Sequence, residues 1–380
     1  MISGYISPPA EKAAYLHSTG NTHTGVALRQ VLLEENKQLA PFTTFGIGGP
    51  ARWFAAVARE EEIVEAAIWT SERRVPLFVL GGGSNVLISD AGFDGLVLHI
   101  ELHGVEAVGV DGCAGVYRVA AGEDWDRFVE HAVRDDCAGI ECLAGIPGTV
   151  GGTPVQNVGA YGQEVASSIE RVRAFDLISR EFVEFPAAEC GFAYRRSRFN
   201  SADRGRYIVT RVDYRLTPRG APTLRYADLQ HAFPGVLPSL AEVASAVRQI
   251  RQSKGMLLVE GDPDCRSAGS FFKNPVLDAA ALHRIAILSG TEPPHFPAGP
   301  GAAERAVKVA AAWLIEQAGF SKGQNMGAAG ISSRHTLALV NRGGATAADI
   351  LRLADAIRNA VEKRFGIGLE MEPEMIGFEP

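Results

Sequence analysis

Three short clusters hold the residue types that could do chemistry. Tyr194-Arg195-Arg196-Ser197-Arg198-Phe199 sets three arginines within four residues behind an aromatic ring. Guanidinium forks recognise carboxylate or phosphate in a bidentate way, although a solvated basic turn would carry the same residues. Ser267-Ala268-Gly269-Ser270-Phe271-Phe272-Lys273-Asn274-Pro275 leaves Ser270 accessible among small residues, with two phenylalanines to anchor the turn. No His and Asp lie near Ser270 in sequence, so a nucleophilic triad has no support; a proton donor or ligand contact fits the cluster, as does an ordinary turn. Leu369-Glu370-Met371-Glu372-Pro373-Glu374 is an acidic stretch near the C-terminus, a pattern most often simply solvated.

Two glycine-rich segments must position such groups. In Val79-Leu80-Gly81-Gly82-Gly83-Ser84-Asn85-Val86-Leu87-Ile88 the glycines stand between two apolar, β-prone runs. A dinucleotide fingerprint would need a helix after the glycines and a different spacing, so that reading fails. Either a backbone anion nest or a tight hairpin turn remains. Between Gly139 and Val165, glycine recurs at 139, 145, 148, 151, 152, 159 and 162 with few charges, which suits backbone packed closely against a ligand.

The 380 residues exceed one compact core and point to two or three domains. A net charge of −7 argues against nucleic acid or an anionic membrane as partner, while a local basic pocket for a phosphate ligand stays open. No apolar run spans a bilayer or forms a signal-peptide core, so the expected location is the cytoplasm. The five cysteines lack CxxC spacing and read as reduced, structural thiols. His99 and His103 are four apart, but their run is strand-like, so a surface pair is expected rather than a metal site.

Along the chain, residues 1–35, mixed in Gly, Pro, Thr and His with little periodicity, are expected to be a loosely ordered extension. Helical spacing marks Arg59 to Arg73, Trp125 to Arg134 (with Gly139 placed to end it), Ser239 onward behind a Ser239/Glu242 capping box, Ala302 to Ala318, and Thr346 to Phe365. Strands are expected at Pro76 to Leu80, Gly115 to Ala120, Tyr207 to Leu216 and Thr336 to Val340.

Taken together, FTTFGIGG (42–49), VLGGGSNVLI (79–88), LAGIPGTVGGTPVQNVGAYG (143–162), YRRSRF (194–199), SAGSFFKNP (267–275) and the terminal EPE resemble the UDP-N-acetylenolpyruvoylglucosamine reductase family, flavoenzymes of bacterial peptidoglycan precursor synthesis. The resemblance runs in order from about residue 37 to the end. It implies an α+β chain with an FAD-binding fold of the vanillyl-alcohol oxidase type, in two α+β subdomains, plus an α+β substrate-binding domain. The implied boundaries are 36–98, completed by 369–380, then 99–220, then 221–368. It further implies that backbone N–H groups wrap the FAD pyrophosphate, so no helix is needed after the glycines. On this resemblance Thr44, Gly46, Ile47, Gly81, Gly82, Gly83, Ser84, Asn85, Ile146, Pro147, Gly148, Gly152, Asn157, Gly159, Ala160 and Arg251 line a non-covalently bound FAD.

The implied reaction has NADPH reduce the flavin and leave; the flavin then passes hydride to the enolpyruvyl methylene carbon of UDP-N-acetylglucosamine enolpyruvate in the same pocket, giving UDP-N-acetylmuramate. Arg195 and Glu374 match groups that stabilise charge growing on the substrate carboxylate, and Ser270 matches the proton donor to the neighbouring carbon. Tyr194, Tyr226, Lys254 and Asn274 match substrate contacts, Tyr226 resembling the loop tyrosine that closes over the diphosphate. The Gly255–Arg266 segment is longer than in compact family members, and position 376 is isoleucine where some relatives carry arginine. A different flavin oxidase, or a sugar-nucleotide binder without turnover, would have no use for Ser270, Arg195 and Glu374 together.

Overall fold

The computed structural model describes residues 31–108, 115–298 and 306–378; residues 1–30, most of the expected N-terminal extension, lie outside them. Its first unit is a sheet ordered Glu34–Gln38, Pro50–Val57, Phe93–Ile100, Leu77–Leu80. The last three strands run parallel. A parallel neighbour requires a crossover, supplied here by helix α1 (Glu60–Arg73). Three glutamates in its first turn face the positive end of the helix dipole, and Glu62 reaches back to the Ala58 and Arg59 N–H groups at 2.9 and 3.2 Å. The C-terminal strand Glu374–Ile376 returns to pair in parallel with Val86–Ile88, the strand that follows the triple glycine. The C-terminal segment therefore lies against that turn.

The second unit is an antiparallel sheet ordered Glu181–Pro186, Ile169–Asp176, Tyr207–Pro218, Gly115–Ala120, Val105–Val108. Helix α2 (Trp125–Arg134) packs on it through Trp125 and Phe128, whose rings lie 5.8 and 5.1 Å from buried Tyr214. Asp124 caps α2 by accepting from Arg127 N–H at 2.8 Å. Gly139 does not end this helix, contrary to expectation. The helix stops at Arg134, Asp136 takes the left-handed conformation (φ 55°), and Gly139 lies beyond a short strand, where its carbonyl accepts from Ser168 Oγ. Helix α3 (Ala227–Ala232) follows, and then α4 (Leu240–Ser253), which begins with the expected reciprocal Ser239/Glu242 cap. Val243, Ala244 and Val247 of α4 join the core of the second unit.

The third unit holds helices α5 (Ala279–Ser289), α6 (Ala311–Gln317) and α7 (Ala347–Phe365) around two three-stranded sheets. The expected helix over Ala302 to Ala318 is corrected here. Residues 302–305 lie outside the described residues, Val307–Val309 is the central strand between Val276–Leu277 and His295–Pro297, and only Ala311–Gln317 is helical. Strand pairing overrides the helix propensity of an alanine-rich run. The strand expected at Thr336 to Val340 is shifted to Leu339–Asn341, because Thr336 sits in the preceding turn with its hydroxyl on Glu316. The His99/His103 reading is also revised. His103 is exposed, but the His99 ring is packed against Phe42 and Phe54 with its side chain 18% exposed, and burial lowers its pKa.

A buried charge joins the long Gly255–Arg266 segment to this unit. Asp264, 0% exposed, accepts from Ser332 Oγ (3.0 Å), Ser333 N–H and Oγ (3.0 and 2.7 Å), Arg334 Nε (3.2 Å) and Arg342 Nη1 (2.6 Å). Arg334 also pairs with Asp262 and donates to the Gln252 carbonyl at the end of α4. Buried carboxylates persist where donors replace their lost hydration, and five donors do so here.

Candidate functional site

The two glycine segments pack backbone against backbone. A methyl group on Gly82 would lie 2.6 Å from Gly148 Cα, one on Gly81 2.6 Å from Thr149 Oγ1, and one on Gly148 2.8 Å from Ser84 Oγ. Gly83 and Gly148 hold positive φ (59° and 128°), which glycine adopts without strain. The turn is also tied down, since Thr44 N–H donates to Gly83 O at 3.1 Å and its hydroxyl to Ser267 O at 2.6 Å. Beside this contact the backbone opens, because a methyl on Gly152 would meet nothing within 4 Å. Such a cradle of close glycine backbone, bordered by the Ser84 and Thr149 hydroxyls, fits a diphosphate cofactor held by N–H groups.

Its floor is fixed from below. Gly148 O accepts from Trp125 N–H at 3.1 Å, and Gly145 is gripped on both sides by Asp126 Oδ1 (2.6 Å, accepting its N–H) and Arg251 Nε (2.9 Å, donating to its carbonyl). Arg251 is buried, a position that lowers its pKa, and it also donates to Met256 O. Pro147 and partly buried Ile146 continue this wall, while buried Ile47 reaches the core of the third unit beside Gly46, which has φ 63°. Asn157, 1% exposed with φ 46°, spends its amide on Glu164, Ala193 O and Ala166 N–H. It thereby ties the glycine segment to the Arg195 loop. Gly159 and Ala160 form a short strand whose Gly159 carbonyl accepts from Arg195 Nη1 at 2.9 Å.

We expect Gly82→Ala to force the two glycine segments apart at a cost of about 1–3 kcal/mol. The purified variant should emerge from gel filtration without bound flavin and with a lower melting temperature. Retention of both properties would show that the cradle tolerates separation.

The three polar clusters meet at this groove. Phe272 is bridged to Met371 and Phe271 O accepts from Glu372 N–H at 2.9 Å, so Ser270 stands at the Glu372–Glu374 end of that ladder. Asn85 Nδ2 donates to Glu372 O (3.2 Å) and Asn85 O accepts from Glu374 N–H (2.9 Å), which places the glycine turn alongside. Tyr194 is half-buried, its pKa raised chiefly by the loss of solvent, and Lys308 Nζ sits 4.4 Å over its ring. The Asn274 side-chain oxygen accepts from Ala311 N–H at the start of α6. Arg195, in the left-handed conformation, has its Nε 2.8 Å from Glu372 Oε1. Glu374, by contrast, turns to Arg204 at 2.9 Å in a pair more than a third exposed.

A second polar group faces it. Lys254, at the C-terminal cap of α4, pairs with Asp228 at 2.7 Å and lies 5.7 and 5.4 Å from the Tyr161 and Tyr226 ring centres. Burial alone would lower the Lys254 pKa, but Asp228 and the two phenols raise it on balance. His335 is near enough to Lys254 to feel its charge, and burial followed by that charge lowers its pKa to about 4.

Sequence reasoning missed Lys308, Tyr161, His335 and the role of Glu372. Lys308 was hidden by the helix expected over its strand. For Glu372 the signal was present, because residues two apart in an extended strand share a face, so the EPE spacing offers two carboxyls to one site. Among the described residues no group of His, Cys, Asp and Glu is arranged to hold a metal ion, and no helix is long and apolar enough to cross a membrane.

The α+β fold, the glycine cradle and a match to the FAD binding domain family over residues 51–180 define an FAD-binding flavoprotein. Residues 262–376 match the C-terminal domain model of UDP-N-acetylenolpyruvoylglucosamine reductase. The chain is 46% identical over 352 residues to the reductase of that name from Thermobifida fusca, covering 90% of this chain and 97% of the relative. It is 42% identical to that of Streptomyces coelicolor over 97% of both chains. A solved UDP-N-acetylenolpyruvylglucosamine reductase from Thermus caldophilus superposes with a TM-score of 0.62 at 28% identity, covering 91% of this chain and 98% of the other. The chain belongs to the UDP-N-acetylenolpyruvoylglucosamine reductase family, and is accordingly an oxidoreductase of peptidoglycan precursor synthesis with FAD as cofactor.

Proposed function

We propose that the protein reduces the enolpyruvyl group of UDP-N-acetylglucosamine enolpyruvate to the lactyl ether with NADPH, donor and acceptor using one pocket in turn, in the cytoplasm. The observation that carries this reading is the convergence of Ser270, Arg195 and the Glu372–Glu374 strand beside the glycine cradle. Bound FAD, held non-covalently by Gly81 to Asn85 and by the Gly145–Ala160 segment, supplies the hydride chemistry that links NADPH to the methylene carbon.

The chain's own residues do the rest. Arg195 receives the substrate carboxylate, and its fixed charge counts for more as negative charge gathers there after hydride addition. Glu374, on the same C-terminal segment as Glu372, stands with Arg195 at the end of the substrate where that charge develops. Ser270 gives its hydroxyl proton to the carbon next to that carboxylate. A hydroxyl is a weak acid in water, so this step relies on exclusion of water and on nearby positive charge. Lys254 and Tyr226 hold the diphosphate from the opposite wall, with Tyr194 and Asn274 lining the sugar side.

Anaerobic flavin absorbance tests the reading. NADPH should bleach the flavin band, and the enolpyruvyl substrate should restore it. Bleaching without recovery would retain a flavoprotein and reject the acceptor.

A further inference from the structure

Arg195 already carries a carboxylate. Glu372 lies 2.8 Å from its Nε, with a side chain 10% exposed, and is held there from three directions. Its N–H donates to Phe271 O, its carbonyl accepts from Asn85 Nδ2, and Arg195 itself is fixed by Gly159 O. The Arg195 turn is strained into the left-handed region and clamped by Asn200, whose amide donates to Arg195 O at 3.2 Å and whose oxygen accepts from Ser197 N–H at 2.9 Å. The backbone clamp and the Gly159 carbonyl thus hold the guanidinium beside Glu372.

The charged groups that face Glu372 are few. From the Ser267–Pro275 segment comes Lys273, itself paired with Glu370 at 2.5 Å; from its own strand come Glu370 and, beyond it, Glu374 on Arg204; from the Arg195 loop come Arg195 and the Tyr194 phenol. Burial raises the Glu372 pKa, and Arg195 and then Lys273 only partly offset this. Apart from Lys273, which Glu370 occupies, Arg195 is the cation paired with Glu372; Lys308 stands farther off, over the Tyr194 ring and close enough to Arg195 for its own pKa to be lowered by that charge after burial. A second carboxylate arriving on Arg195 puts two like charges on one guanidinium in a poorly solvated place, and one of them must then be neutralised.

We propose that Glu372 is a positioning residue for Arg195 that takes up a proton when the substrate carboxylate arrives on the same guanidinium. In the open site Glu372 holds the guanidinium in register; in the complex its neutral carboxyl leaves the full charge of Arg195 to the substrate. The proton enters from solvent on binding and returns when product leaves, so it is not consumed. This inference rests on the proposed reaction, since it needs an anionic carboxylate at Arg195.

Calorimetric titration of the oxidised, FAD-loaded enzyme with the enolpyruvyl substrate, in buffers of different ionisation enthalpy at one pH, counts protons directly. Wild type should take up about one proton per site, E372Q close to none, and E374Q about one. Uptake that persists in E372Q, or that vanishes in E374Q instead, overturns the inference. If the wild type gives no binding heat the substrate reading itself falls, a different outcome from binding without proton uptake, which rejects only the role of Glu372. Should E372Q fail to retain FAD, wild-type affinity between pH 6 and 8.5 decides the matter. Tightening by up to roughly tenfold per unit fall in pH supports uptake, and a flat profile refutes it.

Discussion

Ser270→Ala is expected to split the catalytic cycle. Flavin reduction by NADPH should stay within about twofold of wild type, while reoxidation by the enolpyruvyl substrate should slow by roughly 10²- to 10⁴-fold, the range of a lost general acid. The reason is local. Phe271 and Phe272 are 0% and 1% exposed, so they anchor the turn whatever stands at 270, and Ser270 is bridged to Ala338 through backbone alone. Removing one oxygen therefore deletes the proton without moving the Glu372 ladder or the cradle. Stopped-flow absorbance of the two half-reactions, measured separately, reads the split. Equal slowing in both halves would make Ser270 a structural element of the pocket, and unchanged reoxidation would pass the proton to another group.

Much of the cradle was legible because its physical demand is local. A backbone with a neighbour within 3 Å of where a Cβ would stand favours glycine, so Gly82 against the Gly148 backbone, Gly81 against Thr149 Oγ1 and Gly148 against Ser84 Oγ announce the contact in the sequence even though their partners are more than sixty residues apart. The α4 cap was legible for the same reason, since a reciprocal Ser239/Glu242 pair is complete within four residues. What failed depended on distant partners. Val307–Val309 is a strand only because His295–Pro297 and Val276–Leu277 flank it, and nothing in AVKVAAAWLI records that. His99 was read as surface because a strand's outward face looks polar, yet Phe42 and Phe54 cover it. The acidic C-terminus gave its residue types and its strand spacing. Which glutamate meets Arg195 and which meets Arg204 is decided by where the 194–204 loop lies, a tertiary fact.

The other large effect concerns a residue far from the reacting atoms. Asp264→Asn should destabilise the third unit by about 3 kcal/mol or more, because it leaves Arg334 and Arg342 without their shared counter-charge and turns one of five accepting interactions into a donor clash. Scanning calorimetry of the FAD-loaded protein should show the corresponding transition falling by roughly 6–12 °C. Acid gives an independent check. Burial would raise the Asp264 pKa, but the hydrogen bonds of Ser333, Arg342 and Ser332 prevail and hold it at about 2, below the usual carboxylate value. The wild type should therefore keep this contribution above about pH 4 and lose it as pH falls from there through about 2, whereas the variant's stability should lack that component. Because Arg334 also holds the Gln252 carbonyl, two residues before Lys254, loosening the hub should raise KM for the substrate more than it lowers kcat. A variant that melted like wild type would show that Arg334 and Arg342 find enough solvent or alternative acceptors to stand alone. The long Gly255–Arg266 segment would then be a passive insertion, with no part in seating α4.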